Sequence, residues 1–336
     1  MNKHILIIRL SSFGDVAMTV PVVSILRKKY PDIKITVLTT EFYSILYNQV
    51  PDINFIFFKE KHRTIRGLHS LSIDINRLKV DHIIDLHNVI RTKLLRFFLR
   101  MNLASTNSHF ILDKGRNEKK NLIKGSTLTR LKSMHERYAE VFSELSISLD
   151  LDSFRFFKKI DISSKNYEFN SRKKLIGIAP FAKHTSKEYS ISKILKIIDK
   201  LNDSFEILIF GGPAEKQKIE EICKSKKHTF NISSNYSLEE QMSIISNLDI
   251  MISMDSANGH IASLFGINVI TIWGSTHPFT GYSPFMQPDI NAIIPDKNLF
   301  PKLPVSIYGS NCPKDYVDAI NSIKIDDILH KMKAII

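Results

Sequence analysis

Cysteine is scarce in this chain of 336 residues: Cys223 and Cys312, 89 positions apart, are all it has. No CxxC or HExxH spacing occurs, so neither a disulfide framework nor a zinc site is indicated, and a reducing compartment fits. A GxGxxG turn is also missing, which leaves a nicotinamide-binding loop and an oxidoreductase role poorly supported. The start lacks a signal-peptide pattern, because Met1–His4 leads into a short apolar run that stops at Arg9. Charged side chains are absent from 256–288, the outward mark of a membrane span. There, however, Gly266-Ile267-Asn268 splits the apolar part, and Gly274 and Pro278 follow. A buried helix and then a buried strand account for it better, and a cytoplasmic protein is expected.

What is present is the composition of an ordinary soluble globular protein, with 43% hydrophobic and 24% charged residues. The length suits about two domains. The charge is less ordinary: 47 Lys and Arg stand against 34 Asp and Glu, a net of +13. Residues 1–165 hold 28 basic and 16 acidic side chains, residues 166–336 only 19 and 18, and the stretch 59–137 alone 18 and 7. Such an excess suggests an anionic partner: nucleic acid, a membrane surface or a phosphorylated small molecule. A solvated surface accounts for scattered charges equally well. Phe97 and Phe98 are placed to stack bases, but their spacing fits a helix core as readily.

Short apolar runs alternate with amphipathic stretches, the pattern of an α/β protein with parallel sheets. Strands are expected at 5–8, 33–38, 55–58 and 82–86, with helices at 16–30, 89–100 and 133–145. After a polar passage at 158–174 the alternation restarts. Strands fall at 175–179, 205–210, 229–232, 249–253 and 268–273, helices at 191–201, 215–226, 238–247, 256–265 and 325–336. Two doubly wound domains, 1–160 and 161–336, are expected to face a central cleft, the last helix packing back on the first. Ligands in such folds lie beyond the carboxyl ends of the strands.

Several post-strand turns carry polar groups. Arg9-Leu10-Ser11-Ser12-Phe13-Gly14-Asp15 ends the first strand, and there Asp15 reads as a helix cap or as a carboxylate offered to the cleft. Asp255-Ser256-Ala257-Asn258-Gly259-His260 opens an apolar helix, whose N-terminal N–H groups and partial positive charge suit a phosphate; capping by Asp255 or Ser256 fits as well. Lys183 and Lys187 lie on another such loop, where they can neutralise phosphate or simply be exposed. Glu215, after Gly211-Gly212-Pro213-Ala214, suits a ribose or base contact or the helix dipole. Gly274-Ser275-Thr276-His277-Pro278 completes the ring of loops.

Taken together, these turns resemble glycosyltransferase family 9, the heptosyltransferases of lipopolysaccharide core assembly. The family's Ser-Ser-x-Gly-Asp turn is matched at 11–15, its Asp-[Ser/Thr]-Gly-x-x-His turn at 255–260 and its Gly-x-Thr-Asp-Pro loop at 274–278. Ile84-Asp85-Leu86-His87-Asn88, His135-Glu136-Arg137-Tyr138 and Ser186-Lys187-Glu188-Tyr189 also fit. The order is preserved over nearly the whole chain. Two departures stand out: Ala257 replaces a glycine, awkward if the backbone there needs a positive φ, and His277 replaces an aspartate. Either is expected to bear on donor use.

The resemblance implies a GT-B fold and an inverting, metal-independent transfer of heptose from a nucleotide sugar, ADP-heptose, to a lipid-linked core saccharide. No resident cofactor and no nucleic-acid partner are expected. Asp15 would be the catalytic base. Donor and phosphates would be held by Lys183, Lys187, Glu215, Asp255, Ser256, Ala257, Gly259, His260 and Thr276. The acceptor would meet Ser12, Gly14, Asn88 and Arg91, with Lys59, Lys61, Arg63 and Arg66 facing its phosphates near the anionic inner face of the cytoplasmic membrane. A different nucleotide sugar with another glycan acceptor is the alternative, a nucleic-acid-binding protein a more distant one.

Overall fold

The run His4–Ile8 is buried along its whole length and forms strand β1, as a parallel strand covered on both faces must be. The computed structural model describes residues 3–101, 107–125, 128–163, 165, 167–170, 172–201 and 205–336. Residues 164, 166 and 171 of the polar passage, and 102–106, 126 and 127 of the basic stretch, lie outside that set.

β2 (Lys34–Thr39), β3 (Ile53–Phe57), β4 (His82–Asp85) and β5 (Ser108–Ile111) join β1 in a sheet of order β3-β2-β1-β4-β5. A second sheet holds β6 (Lys174–Ala179), β7 (Phe205–Ile209), β8 (Thr229–Asn231), β9 (Ile250–Met254), β10 (Val269–Ile272) and β11 (Ala292–Ile293). Its order is β11-β10-β9-β6-β7-β8, and every pairing in both sheets is parallel. The expected α/β, doubly wound class is therefore present twice. Each sheet reverses its strand order once, between β1 and β4 and between β6 and β9. Loops leaving the carboxyl ends on either side of such a reversal open a crevice suited to ligands.

The helices depart from expectation where local chemistry interrupts them. One helix over 16–30 is replaced by two, Phe13–Ala17 and Val20–Lys29. The Thr19 hydroxyl donates to the Val16 carbonyl at 2.7 Å between them. Pro21, lacking an N–H, sits in the first turn of the second, where that loss costs nothing. Helix Ile65–Arg77, unforeseen, buries Leu68, Leu71 and Ile75 on one face. The charge-free stretch resolves into helix Ala257–Leu264 and β10, both largely buried. Among the described residues no helix is long and apolar enough to cross a membrane.

The chain forms two compact units, Met1–Gly115 with Met134–Arg155 and Arg116–Ser133 with Phe156–Ile336. It passes between them three times rather than once near 160. The reason is visible in the second unit. Lys119 donates to the Tyr282 hydroxyl at 2.8 Å, and the Leu131 amide to the Phe279 carbonyl at 2.9 Å. Arg130 pairs with Asp289 while its guanidinium lies 4.5 Å over the Phe279 ring. That excursion corrects the address of the charge. The first unit carries 19 basic and 14 acidic side chains and the second 28 and 20, so the excess is not confined to the first. The last helix, Ile325–Ile335, buries Ile328, Leu329 and Met332 in the isoleucine-rich core of its own unit.

Candidate active site

At the reversal of the first sheet, register sets Ile8 opposite Asp85, so Arg9 leaves β1 beside Leu86. Arg9 is buried and donates from Nη1 to the Leu86 carbonyl at 2.6 Å. Its guanidinium lies 5.8 Å over the Tyr138 ring, and its Nη2 stands 2.8 Å from Asp15 Oδ2. The Ser12 hydroxyl and amide donate to that same oxygen at 2.7 and 3.3 Å. Ser12, not Asp15, is the N-cap residue, and Asp15 completes a capping box from three residues on. It closes the first turn of helix Phe13–Ala17, and its side chain remains about a quarter exposed, 27% against 5% for Arg9. A carboxylate fixed by an arginine and a serine yet open to solvent can accept a proton from a bound hydroxyl.

His87 borders this carboxylate, its Nε2 3.4 Å from Ser11 Oγ. Burial, then the charges of Arg9, Lys114 and Arg91, push its pKa down to about 3, Asp15 opposing. It is therefore neutral at physiological pH in a neighbourhood rich in cations. Below it, Asp85 Oδ1 accepts from the amides of His87 and Asn88 at 2.9 and 2.8 Å, while Oδ2 faces Arg96 Nε at 2.9 Å. Asn88, in the left-handed region at φ 43°, donates its side-chain amide to the Leu112 carbonyl at 2.8 Å. Ser12, Gly14, Asp15 and Asn88 lie together on these two loops.

Of the basic candidates, Arg91 is near enough to His87 for its charge to act on that ring. Lys59, Lys61, Arg63 and Arg66 are exposed on the turn after β3 and the start of helix Ile65–Arg77. Arg63 pairs with Glu60 at 2.8 Å. Arg91, at the start of helix Ile90–Met101, lies 5.3 Å over the ring of Phe58, next to Lys59 in sequence.

In the second unit, the loops after β6 and β9 flank the reversal and meet. Lys187 Nζ donates to Asp255 Oδ2 at 2.8 Å, and Thr276 Oγ1, from the loop after β10, donates to the same oxygen at 2.9 Å. Ser256 holds the N-cap position of helix Ala257–Leu264 without a side-chain bond to its first turn, its Oγ lying 3.2 Å from Ser253 Oγ. Ala257 is simply the first helical residue, so no positive φ is asked of it. A Cβ on Gly259 would come within 3.3 Å of Ser253 Oγ and of Val269, the close helix–strand approach that only glycine allows comfortably. His260 is buried one turn further on.

The loop carrying Lys187 is fastened from two sides. Ser186 Oγ lies 2.8 Å from Ser275 Oγ and donates to the Gly309 carbonyl at 2.8 Å, and the Ser275 amide donates to the Ser186 carbonyl at 3.0 Å. Lys183 is exposed on the same loop. Glu215 is held within its own turn, Oε2 accepting from the Gly212 amide at 2.6 Å. His277 Nδ1 accepts from the Phe279 amide at 3.1 Å, capping the next turn as an aspartate there would. Burial, then Lys297 and Arg130, push its pKa down to about 4.

Arg9 and the segment 305–310 are the parts of these sites that sequence reading missed. Arg9 looked like the end of an apolar run. Segment 305–310 has no regular pattern, although Gly309, at φ 87°, lies against the Lys187 side chain.

The family model for glycosyltransferase family 9 (heptosyltransferase) matches residues 69–294. Lipooligosaccharide heptosyltransferase 2 of Campylobacter jejuni is 21% identical over 326 residues, covering 95% of this chain and 95% of that protein. Among solved structures, a glycosyl transferase family 9 protein from Veillonella parvula superposes with a TM-score of 0.76 at 18% identity, covering 100% and 98% of the two chains. ADP-heptose lps heptosyltransferase II of E. coli does so with 0.74 at 17%, with the same coverage. These likenesses give the fold as GT-B.

Proposed function

The chain belongs to glycosyltransferase family 9, and from that premise we propose that it moves a heptose from ADP-heptose to a phosphorylated, lipid-linked lipopolysaccharide core saccharide. The observation that carries this reading is the cluster of Lys187, Asp255 and Thr276 beside the first turn of helix Ala257–Leu264, at the strand reversal of the second sheet. Glycosyl transfer leaves negative charge on the departing diphosphate. Fixed N–H dipoles, an ammonium and hydroxyl donors aimed at that charge stabilise it with little reorganisation. In this reading Lys187, Ser256 and the helix N-terminus take the part that a metal ion plays elsewhere. Glu215 and Lys183 lie on neighbouring loops, suited to the nucleoside side of the donor.

In the first unit, Asp15 takes the proton of the attacking acceptor hydroxyl. Arg9 and Ser12 hold its carboxylate in one orientation, which general-base help requires. The hydroxyl oxygen then forms its bond to the anomeric carbon from the face opposite the diphosphate, and the configuration inverts. Lys59, Lys61, Arg63, Arg66 and Arg91 suit the phosphates of a core acceptor at the inner face of the cytoplasmic membrane.

One observation favours a second reading with a different nucleotide sugar. The neutral ring of His277 stands where the family pattern has a carboxylate, and it removes a negative charge from the donor loops. Mass spectrometry of the products formed from a panel of nucleotide sugars and truncated core acceptors decides between the two. Addition of a heptose from ADP-heptose supports the first. Transfer from another sugar nucleotide alone supports the second.

A further inference from the structure

Helix Ile90–Met101 has two apolar faces, and only one of them is used by the fold. Thr92, Leu95, Arg96 and Leu99 are buried, the two leucines in a core with Leu68, Leu71 and Ile75 of helix Ile65–Arg77. At about 100° per residue, Ile90, Phe97 and Met101 fall within an arc of about 40° on the opposite side, while Leu94 packs partly against the core. Ile90 is 85% exposed, Phe97 56% and Met101 62%.

Helix Ile65–Arg77 extends this surface. Ile65 and Ile73 are exposed on it, and between them His69 meets the Phe98 ring edge-on at 5.3 Å. Phe98 in turn lies 5.8 Å from Phe97. Exposed apolar side chains of two adjacent helices thus lie on either side of Phe98, which itself packs partly against the core, an arrangement that monomeric surfaces rarely leave without a purpose.

Its rim is basic. Lys93 and Arg100 flank the stripe on one side and Arg91 on the other, and helix Ile90–Met101 contains no acidic residue. Lys61 and Arg66 stand at the Ile65 end. The acidic groups nearby are already paired, Asp74 with Arg77 at 3.1 Å and Glu60 with Arg63 at 2.8 Å. An apolar stripe bordered by Lys and Arg is the signature of a helix lying in a lipid headgroup layer, apolar side down, with cations drawn to anionic lipid.

We propose that this face, centred on Ile90, Phe97 and Met101, docks the protein on an anionic bilayer. Both helices begin at the carboxyl edge of the first sheet, the edge where Asp15 lies. A lipid-linked acceptor anchored in the bilayer then reaches the carboxylate along the docked surface. The charge complementarity selects lipid over a second copy of this chain, whose own basic rim would be brought against itself.

The proposal rests on the transferase reading for its acceptor, but its test does not. The full chain is sedimented, without donor or acceptor, with vesicles of phosphatidylcholine alone or containing phosphatidylglycerol. The expected result is binding to the anionic vesicles at least tenfold tighter than to the neutral ones, weakening as salt rises. I90S/F97S/M101S, with an unchanged melting temperature, is expected to lose at least tenfold of that binding and to keep transfer to a short water-soluble acceptor. K93Q/R100Q is expected to lose the preference for anionic lipid.

Equal affinity for both vesicle types overturns the proposal, as does undiminished binding by the folded triple variant. So does a wild-type dimer that the triple variant converts to monomer without changing vesicle binding. Vesicle binding by a chain that transfers no sugar overturns the transferase reading alone.

Discussion

Lys187 and Asp255 form an ion pair at 2.8 Å that is almost wholly enclosed, with side-chain exposures of 11% and 8%. Thr276 Oγ1 reaches the same carboxylate oxygen at 2.9 Å. The lysine proposed to meet the donor's phosphates is therefore aimed and neutralised in advance by a residue of the neighbouring loop. An arriving diphosphate adds charge to a site that is balanced without it.

Removing one partner of such a pair leaves the other buried and uncompensated. Lys187→Met is expected to lower unfolding free energy by about 3–5 kcal/mol and to raise KM for the donor. Lys187→Met with Asp255→Leu is expected to regain most of the stability and none of the donor affinity. Urea unfolding and donor titration read the two effects separately. Equal stability of the single and double variants would show that the pair is not coupled.

Asp15 is held by Arg9 and Ser12, so its removal has a structural and a chemical consequence of different size. Asp15→Asn is expected to cost about 1 kcal/mol of stability, the usual scale for a helix-start bond, while kcat falls by about 10²–10⁴-fold. Arg9→Lys keeps the charge but cannot span Leu86 and Asp15 together, and a fall in kcat with little change in donor KM is expected. Steady-state kinetics beside thermal melts measure both. Wild-type kcat in Asp15→Asn would remove the carboxylate from the mechanism.

How much of this was legible in the sequence follows from how far apart the cooperating residues lie. Asp15 and Ser12 are three positions apart, and the strand-turn-helix pattern displays them. Arg9 and Leu86 are 77 positions apart, and only the pairing of β1 with β4 brings them together. Lys187, Asp255 and Thr276 each lie on a loop that follows a readable apolar strand, so their shared sheet edge was visible and their mutual contact was not. Counting charge by halves failed for a similar reason. Lys119 and Arg130 belong to the first half in sequence, but Tyr282 and Asp289 hold them in the second unit. The outward stripe of helix Ile90–Met101 was hidden because the helix is apolar on both faces, and sequence does not say which face the core takes.

Two buried histidines make stability depend on acid. A histidine in the unfolded chain titrates near 6.5; in the fold, His87 stays neutral down to about 3 and His277 to about 4. Between those values the unfolded chain binds protons that the folded chain does not. Stability is then intact above pH 6.5 and falls as the pH drops, by up to about 1.4 kcal/mol per pH unit for each histidine. Urea midpoints at pH 7, 5.5 and 4.5 are expected to fall in that order, less steeply in His87→Gln. A wild-type midpoint that holds steady from pH 7 to 4.5 contradicts the assignment.

Two small residues near the donor loops make opposite predictions. A Cβ on Gly274 would lie 2.1 Å from the Ser186 carbonyl oxygen, a backbone atom that cannot rotate away. Gly274→Ala therefore pushes the loop carrying Lys187 off its seat. A loss of about 1–3 kcal/mol is expected, together with a higher donor KM. Ala257 occupies an ordinary helical position, so Ala257→Gly is expected to cost no more than about 1 kcal/mol and to leave donor KM unchanged. Isothermal titration with the nucleoside diphosphate, beside urea unfolding, compares the pair. If Ala257→Gly sharpened donor affinity while Gly274→Ala left it alone, the turn at 255–260 rather than the seating of Lys187 would set how the diphosphate is held.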